Sequence, residues 1–111
     1  MARLREVQDA GFDAEVLNSQ LPVLVEFTAS WCPPCKAMVP HLESVAVQFQ
    51  GKATVVSVDV EANPRVVTRY GVRGMPTMLL FRNGQVVDSV VGAVPRHKLE
   101  TLLLRYTAVA A

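Results

Sequence analysis

The chain has 111 residues, half of them hydrophobic, and its 11 basic against 10 acidic residues leave a formal charge of +1. That length fits a single domain, residues 1–111, with a core that needs no disulfide framework. The balanced charge points to no nucleic-acid partner, and the Arg65, Arg69, Arg73 and Arg96, His97, Lys98 groups read as solvated faces, with a contact surface for acidic partners as the alternative.

The opening MARLREVQDAGF lacks the apolar run of an export signal, and no later run could span a bilayer. The expectation is a cytoplasmic protein with no membrane contact, acting as a monomer. Leu4 to Val7 alternates as a short strand. Asp9 or Asp13 is placed to cap a short helix carrying Phe12, Val16 and Leu17 on one side. Residues 22–29, PVLVEFTA, are apolar on both faces except for Glu26, the pattern of a central strand covered on both sides. Met38, Leu42, Val45, Ala46 and Phe49 then fall at helical spacing down to Gly51, with Pro40 inside that helix to kink it.

Residues 53–60 make a second buried strand, and Ala62 to Tyr70 a short helix ended by Gly71. TMLLF at 77–81 and QVVDSVVG at 85–92 flank Arg82-Asn83-Gly84, and Asn-Gly between apolar runs is a strong hairpin signal. Leu99, Leu102, Leu103 and Tyr106 give a last amphipathic helix after Pro95. The alternation, followed by a hairpin and a helix, predicts an α/β fold: a mixed five-stranded central sheet flanked by four helices.

The only Trp and the only two Cys lie in TASWCPPCKAMVP, residues 28–40. Zinc would need four ligands, and Cys32, Cys35, His41 and His97 match no finger or ribbon spacing. Two inert buried thiols fit poorly among prolines and polar residues. A redox pair fits better. If the helix starts right after Cys32, that sulfur sits at the N-cap, where orphan N–H groups and the positive helix end favour a thiolate. Pro33 takes the first helical position, where its missing N–H costs nothing. Cys35, one turn inside, keeps its proton longer, so Cys32 attacks a disulfide and Cys35 resolves the mixed disulfide. Glu26, on the strand feeding this turn, is placed to serve as its acid/base; the alternatives are a sheet-edge position or a pairing with a lysine such as Lys52. Trp31, in a loop beside a reactive sulfur, reads as a partner contact or a shield rather than plain core. Gly74 and Pro76 precede the next strand, and a cis Met75–Pro76 bond there would expose backbone groups to a peptide.

WCPPCK, the acid in the preceding strand, YGVRGMPTMLLFRNGQ and the later VVGAV together resemble the thioredoxin family over essentially the whole chain. The resemblance implies that family's fold, a cis peptide before Pro76, and protein-disulfide reduction through a Cys32–Cys35 redox disulfide, with Glu26 in the buried-acid position. It also implies a docking surface from Trp31, Pro33, Pro34, Gly74, Met75, Pro76, Val91, Gly92 and Ala93. The partners implied are disulfide-containing proteins and an NADPH-dependent flavoprotein reductase. No GxGxxG or Gly-rich phosphate loop is present, so no cofactor is expected on this chain. Pro33 stands where Gly is usual, Glu26 where Asp is usual, Thr28 where Trp is frequent and Ser57 where Lys is frequent; the last removes a cation near the buried acid. Two other readings are an oxidase or isomerase of the same type, and a binding module that uses the docking surface without the thiols.

Overall fold

In a computed structural model that describes residues 4–107, five strands form one sheet in the order β1-β3-β2-β4-β5. The strands are β1 (Arg5–Glu6), β2 (Val23–Thr28), β3 (Thr54–Asp59), β4 (Thr77–Arg82) and β5 (Gln85–Val91). Helices α1 (Pro33–Gln48), α2 (Pro64–Tyr70) and α3 (Arg96–Thr107) are joined by a fourth helical segment near the N-terminus, a 3-10 turn over Asp9–Gly11 and a π turn over Asp13–Leu17. β3 runs parallel to β1 and β2, while β4 is antiparallel to β2 and β5. The expected mixed sheet is therefore present, with β2 at its centre.

Burial on both faces explains why β2 carries so little polarity. Val23, Val25 and Phe27 pack with Val56, Val58, Val66, Phe12 and Phe81 on the α2 side. Leu24 packs with Met38, Leu42, Leu99 and Leu103 on the α1 and α3 side. Because side chains alternate along a strand, Glu26 shares the face of Leu24. Each fully buried Leu, Val or Phe contributes roughly 1.5–3 kcal/mol, so both cores favour this arrangement of β2. Phe12, Tyr70 and Phe81 meet edge-on or tilted, with ring centroids 5.1–5.7 Å apart.

The hairpin forms as its sequence predicts. Asn83 and Gly84 both take positive φ, 53° and 78°, the two-residue turn whose twist matches the strands it joins. Helix α1 continues through Pro40 rather than ending there, although a proline cannot donate to the carbonyl of Lys36.

The N-terminal region departs from expectation. Neither Asp9 nor Asp13 caps its own turn; Gln8 precedes the first turn without a side-chain cap. Instead the Asp9 carboxylate accepts the backbone N–H groups of Arg65 (3.1 Å) and Val66 (2.9 Å), at the start of α2. The buried Asn63 reciprocates, its Oδ1 accepting the Asp9 N–H at 2.7 Å while its Nδ2 donates to the Asp59 carbonyl at 2.9 Å. Helix α2 thus starts at Pro64, two residues later than the sequence suggests, because its cap arrives from a segment remote in the chain. Asp13 pairs with Arg69 at 2.8 Å. Asp9→Ala is expected to lower stability by about 0.5–2 kcal/mol, the range for a lost N-cap. Urea denaturation would show this as a lower midpoint at unchanged slope; an unmoved midpoint would mean that water replaces the carboxylate without loss.

Candidate active site

The site forms where β2 hands over to α1. Cys32 occupies the N-cap of α1 in an extended conformation (φ −104°, ψ 99°), and Pro33 and Pro34 fill the first helical positions. Their lack of N–H groups is harmless there, because the first N–H groups of a helix have no carbonyl to meet. The Cys32 Sγ accepts the backbone N–H of Cys35 at 3.2 Å, as a serine or aspartate cap would. No acidic side chain lies in the first turn to oppose negative charge on that sulfur. Cys32 and Cys35 are joined in a disulfide with their Cα atoms 5.3 Å apart. Cys35 is fully buried, whereas Cys32 keeps 4% of its surface. Among the described residues no group of three His, Cys, Asp or Glu is placed to hold a metal ion.

Two loops flank the disulfide. The Met75–Pro76 bond is cis, and the Thr77 hydroxyl donates to the Gly74 carbonyl. The Gly92 N–H donates to the Pro76 carbonyl at 2.8 Å, and Gly92 has φ 93°, a left-handed conformation that favours glycine. Ala29, Cys32 and Cys35 form a small buried cluster onto which Met75 and Val60 pack. Around it the surface is apolar: Trp31 is 61% exposed and Val91 69%. Pro33, Pro34, Gly74 and Ala93 are exposed as well, whereas Pro76 is buried.

Glu26 lies below this surface, 1% exposed, and its Oε2 has no hydrogen-bond partner. Its position on the central strand excludes the sheet-edge alternative. No ion pair forms with Lys52 or any other described basic residue. Burial without a counter-charge raises its pKa from 4.5 to about 7. Directly across from it on β3 is Ser57, and across from it on β4 is Met78.

A family model described as thioredoxin matches residues 3–105. The chain belongs to the thioredoxin family. It is 43% identical to thioredoxin of Synechocystis sp. and 44% identical to thioredoxin 1 of Nostoc sp., covering 96% of this chain and 99% of each relative. Identity to thioredoxin of Haemophilus influenzae is 41%, over 93% of this chain and 96% of that one. The protein is accordingly a thiol–disulfide oxidoreductase with a redox-active disulfide, borne by the only cysteines it has.

Within the thioredoxin fold, the residues singled out in the sequence fall into two groups. Cys32, Cys35, Met75 and the exposed Trp31, Gly74 and Val91 gather at the end of the sheet where β2 meets α1, and Glu26 lies deeper on the α1 face. Two features escaped the sequence reading. Val60 packs against the disulfide cluster; its signal was its place just past the carboxyl end of a buried parallel strand, where α/β folds build their sites. Glu43 of α1 lines a cleft with Glu26 and Ser57, a neighbourhood set by strand register and helix docking rather than by spacing.

Proposed function

We propose that the chain reduces disulfides in other proteins, with Cys32 as the attacking thiolate, Cys35 as the resolving thiol and Glu26 as the buried acid/base. The observation that carries the reading is the asymmetry of the pair. Cys32 Sγ sits at a helix N-cap accepting a backbone N–H, while Cys35 is fully enclosed. A negative sulfur is favoured at the first position and disfavoured at the second.

In the reduced protein, the Cys32 thiolate attacks one sulfur of a substrate disulfide, and the other substrate sulfur leaves as a thiolate. Cys35 then loses its proton, with Glu26 as the nearby strand's only acid, and attacks the Cys32 sulfur. The second substrate thiol is released and the Cys32–Cys35 disulfide forms. Two electrons have passed to the substrate. A reductase must return them, and an NADPH-dependent flavoprotein is the partner proposed. The docking surface is Trp31, Pro33, Pro34, Gly74, Met75, Pro76, Val91, Gly92 and Ala93, where exposed apolar side chains surround the disulfide. The setting proposed is the reducing cytoplasm, with residues 1–111 acting as one domain and a monomer.

A redox titration against a dithiol buffer, read by Trp31 fluorescence, tests this. The expected midpoint is more negative than the cytosolic glutathione poise of about −220 to −260 mV. A midpoint well to the oxidising side would replace the reductase with an oxidase or isomerase. Pro33 adds a directional prediction: by limiting the reduced chain's freedom, it favours ring closure. Pro33→Gly is therefore expected to make the midpoint less negative. A stiffening worth roughly 0.4–1 kcal/mol amounts to about 10–20 mV for a two-electron couple. An unchanged or more negative value would remove the role assigned to Pro33.

A further inference from the structure

Strand register places Glu6, Ser57, Glu26 and Met78 in one row across four strands, side by side on one face of the sheet. Met78 is buried under the α1 and α3 core, but the row opens towards β1, which is only two residues long. Val39 and Glu43, one turn apart on α1, overhang the gap, and Leu4 and Thr28 complete a cleft of 360 Å³. Ser57 keeps the cleft open because its side chain is too short to fill the space between the two glutamates. The deepest carboxylate belongs to Glu26, 1% exposed, whose Oε2 is the one buried side-chain oxygen or nitrogen without a partner among the described residues.

We infer that this cleft binds a primary alkylammonium group, with the cation seated on Glu26 and its aliphatic stem along Leu4 and Val39. An unpartnered buried carboxylate oxygen is costly, and a cation is the ligand that recovers most of that cost. The ammonium has three donors, and three acceptor groups stand among the residues lining the cleft beside its rim glutamates: the Glu26 carboxylate and the hydroxyls of Ser57 and Thr28. A guanidinium suits the site less, because its fork calls for both oxygens of a carboxylate presented edge-on. A bare metal ion suits it less again. Glu6 and Glu26 are two strands apart, roughly 9–10 Å at the ordinary strand spacing, too far to share one ion. Glu6 and the half-buried Glu43 instead set a negative field at the mouth that draws the cation in. The apolar wall of Leu4 and Val39 matches the methylene stem that a long-chain amine buries behind its charged head.

The ammonium could belong to a free alkylamine or to a lysine on a partner protein. Both are tested on the oxidised protein at pH 8, by following the Glu26 carboxyl carbon resonance in NMR during titration. The probes are n-butylammonium, Nα-acetyl-lysine methylamide, n-butanol and sodium chloride at matched ionic strength. A saturable shift with either amine, absent with butanol and salt, is expected. If both amines bind, free amines can occupy the site; if only the lysine derivative binds, the source is a protein. Glu43→Gln, a change at the rim, should weaken binding by about threefold to tenfold. Ser57→Lys, which places the chain's own ammonium in the cleft, should abolish it. The inference is overturned if neither amine gives a saturable shift, if butanol or salt reproduces it, or if both variants bind as the parent does. Because the oxidised protein is titrated without turnover, the result is independent of the reductase reading.

Discussion

Cys35→Ser is expected to turn a recycling enzyme into a trap that closes once. Cys32 remains at the helix N-cap and can still attack a disulfide, but no second sulfur is present to displace the product. In an insulin-type reduction assay the variant should cleave at most one disulfide per chain and then stop. Mass spectrometry under non-reducing conditions should find the chain covalently joined to its substrate. Cys32→Ser should give neither turnover nor adduct, because its remaining thiol is fully buried. The pair of variants tests the division of labour directly. An adduct from Cys32→Ser, with turnover by Cys35→Ser, would reverse the two roles. Partner binding that persists in Cys32→Ser would show that docking on the Trp31 and Val91 surface is separable from thiol chemistry. If the physiological effect persisted too, the thiol-independent binding module would replace the reductase.

Glu26→Gln is expected to stabilise the protein at alkaline pH and to slow the resolving step. Folded Glu26 has a pKa of about 7 against 4.5 for the free side chain. Below 4.5 the carboxyl is protonated whether the chain is folded or unfolded, so it costs nothing. Between 4.5 and about 7 the unfolded chain releases a proton that the folded protein retains, so stability falls as pH rises. Above 7 the loss levels off, at about 3 kcal/mol as an upper bound. Glutamine, similar in shape and uncharged, escapes this loss. The variant should match the parent near pH 4 and exceed it by up to about 3 kcal/mol at pH 8, measured by urea denaturation across that range. An equal difference at both pH values would mean that glutamine acts through packing instead. In the parent, resolution of the mixed disulfide should quicken as pH passes about 7 and Glu26 becomes a base. The variant should lose that rise and resolve on the order of 10²-fold more slowly, the lower end for general-base catalysis. A parent pH profile preserved in Glu26→Gln would leave Glu26 a structural residue.

What was legible in the sequence was what neighbours along the chain decide. The Asn83–Gly84 turn depends on two adjacent residues that tolerate positive φ. The cap at Cys32 depends on the prolines that follow it. The central position of β2 showed in its unbroken apolar run, since a strand covered on both faces has no polar side to declare. The cap of α2 was illegible because Asp9 lies 56 residues before Arg65 and 57 before Val66. Nothing in the local spacing of an aspartate says which helix it will reach. The surroundings of Glu26 were hidden for a related reason. Its neighbours Ser57 and Glu6 stand beside it only once three strands have settled into register, and Glu43 only once α1 lies across them. The acid itself was conspicuous in the sequence; its cleft was not.

The position of the disulfide has a consequence for endurance. The bond must break and re-form in every catalytic cycle, so the fold cannot lean on it. Its two cysteines are three positions apart, and a cross-link that closes so short a loop restricts the unfolded chain little. Loop-closure entropy gives about 2 kcal/mol, against about 4.7 kcal/mol for a loop of about 100 residues. The large cores on the two faces of the sheet contain neither sulfur. Reduction therefore releases one small constraint at the rim and leaves the load with the sheet, so the protein can lose and regain its only covalent cross-link without unfolding.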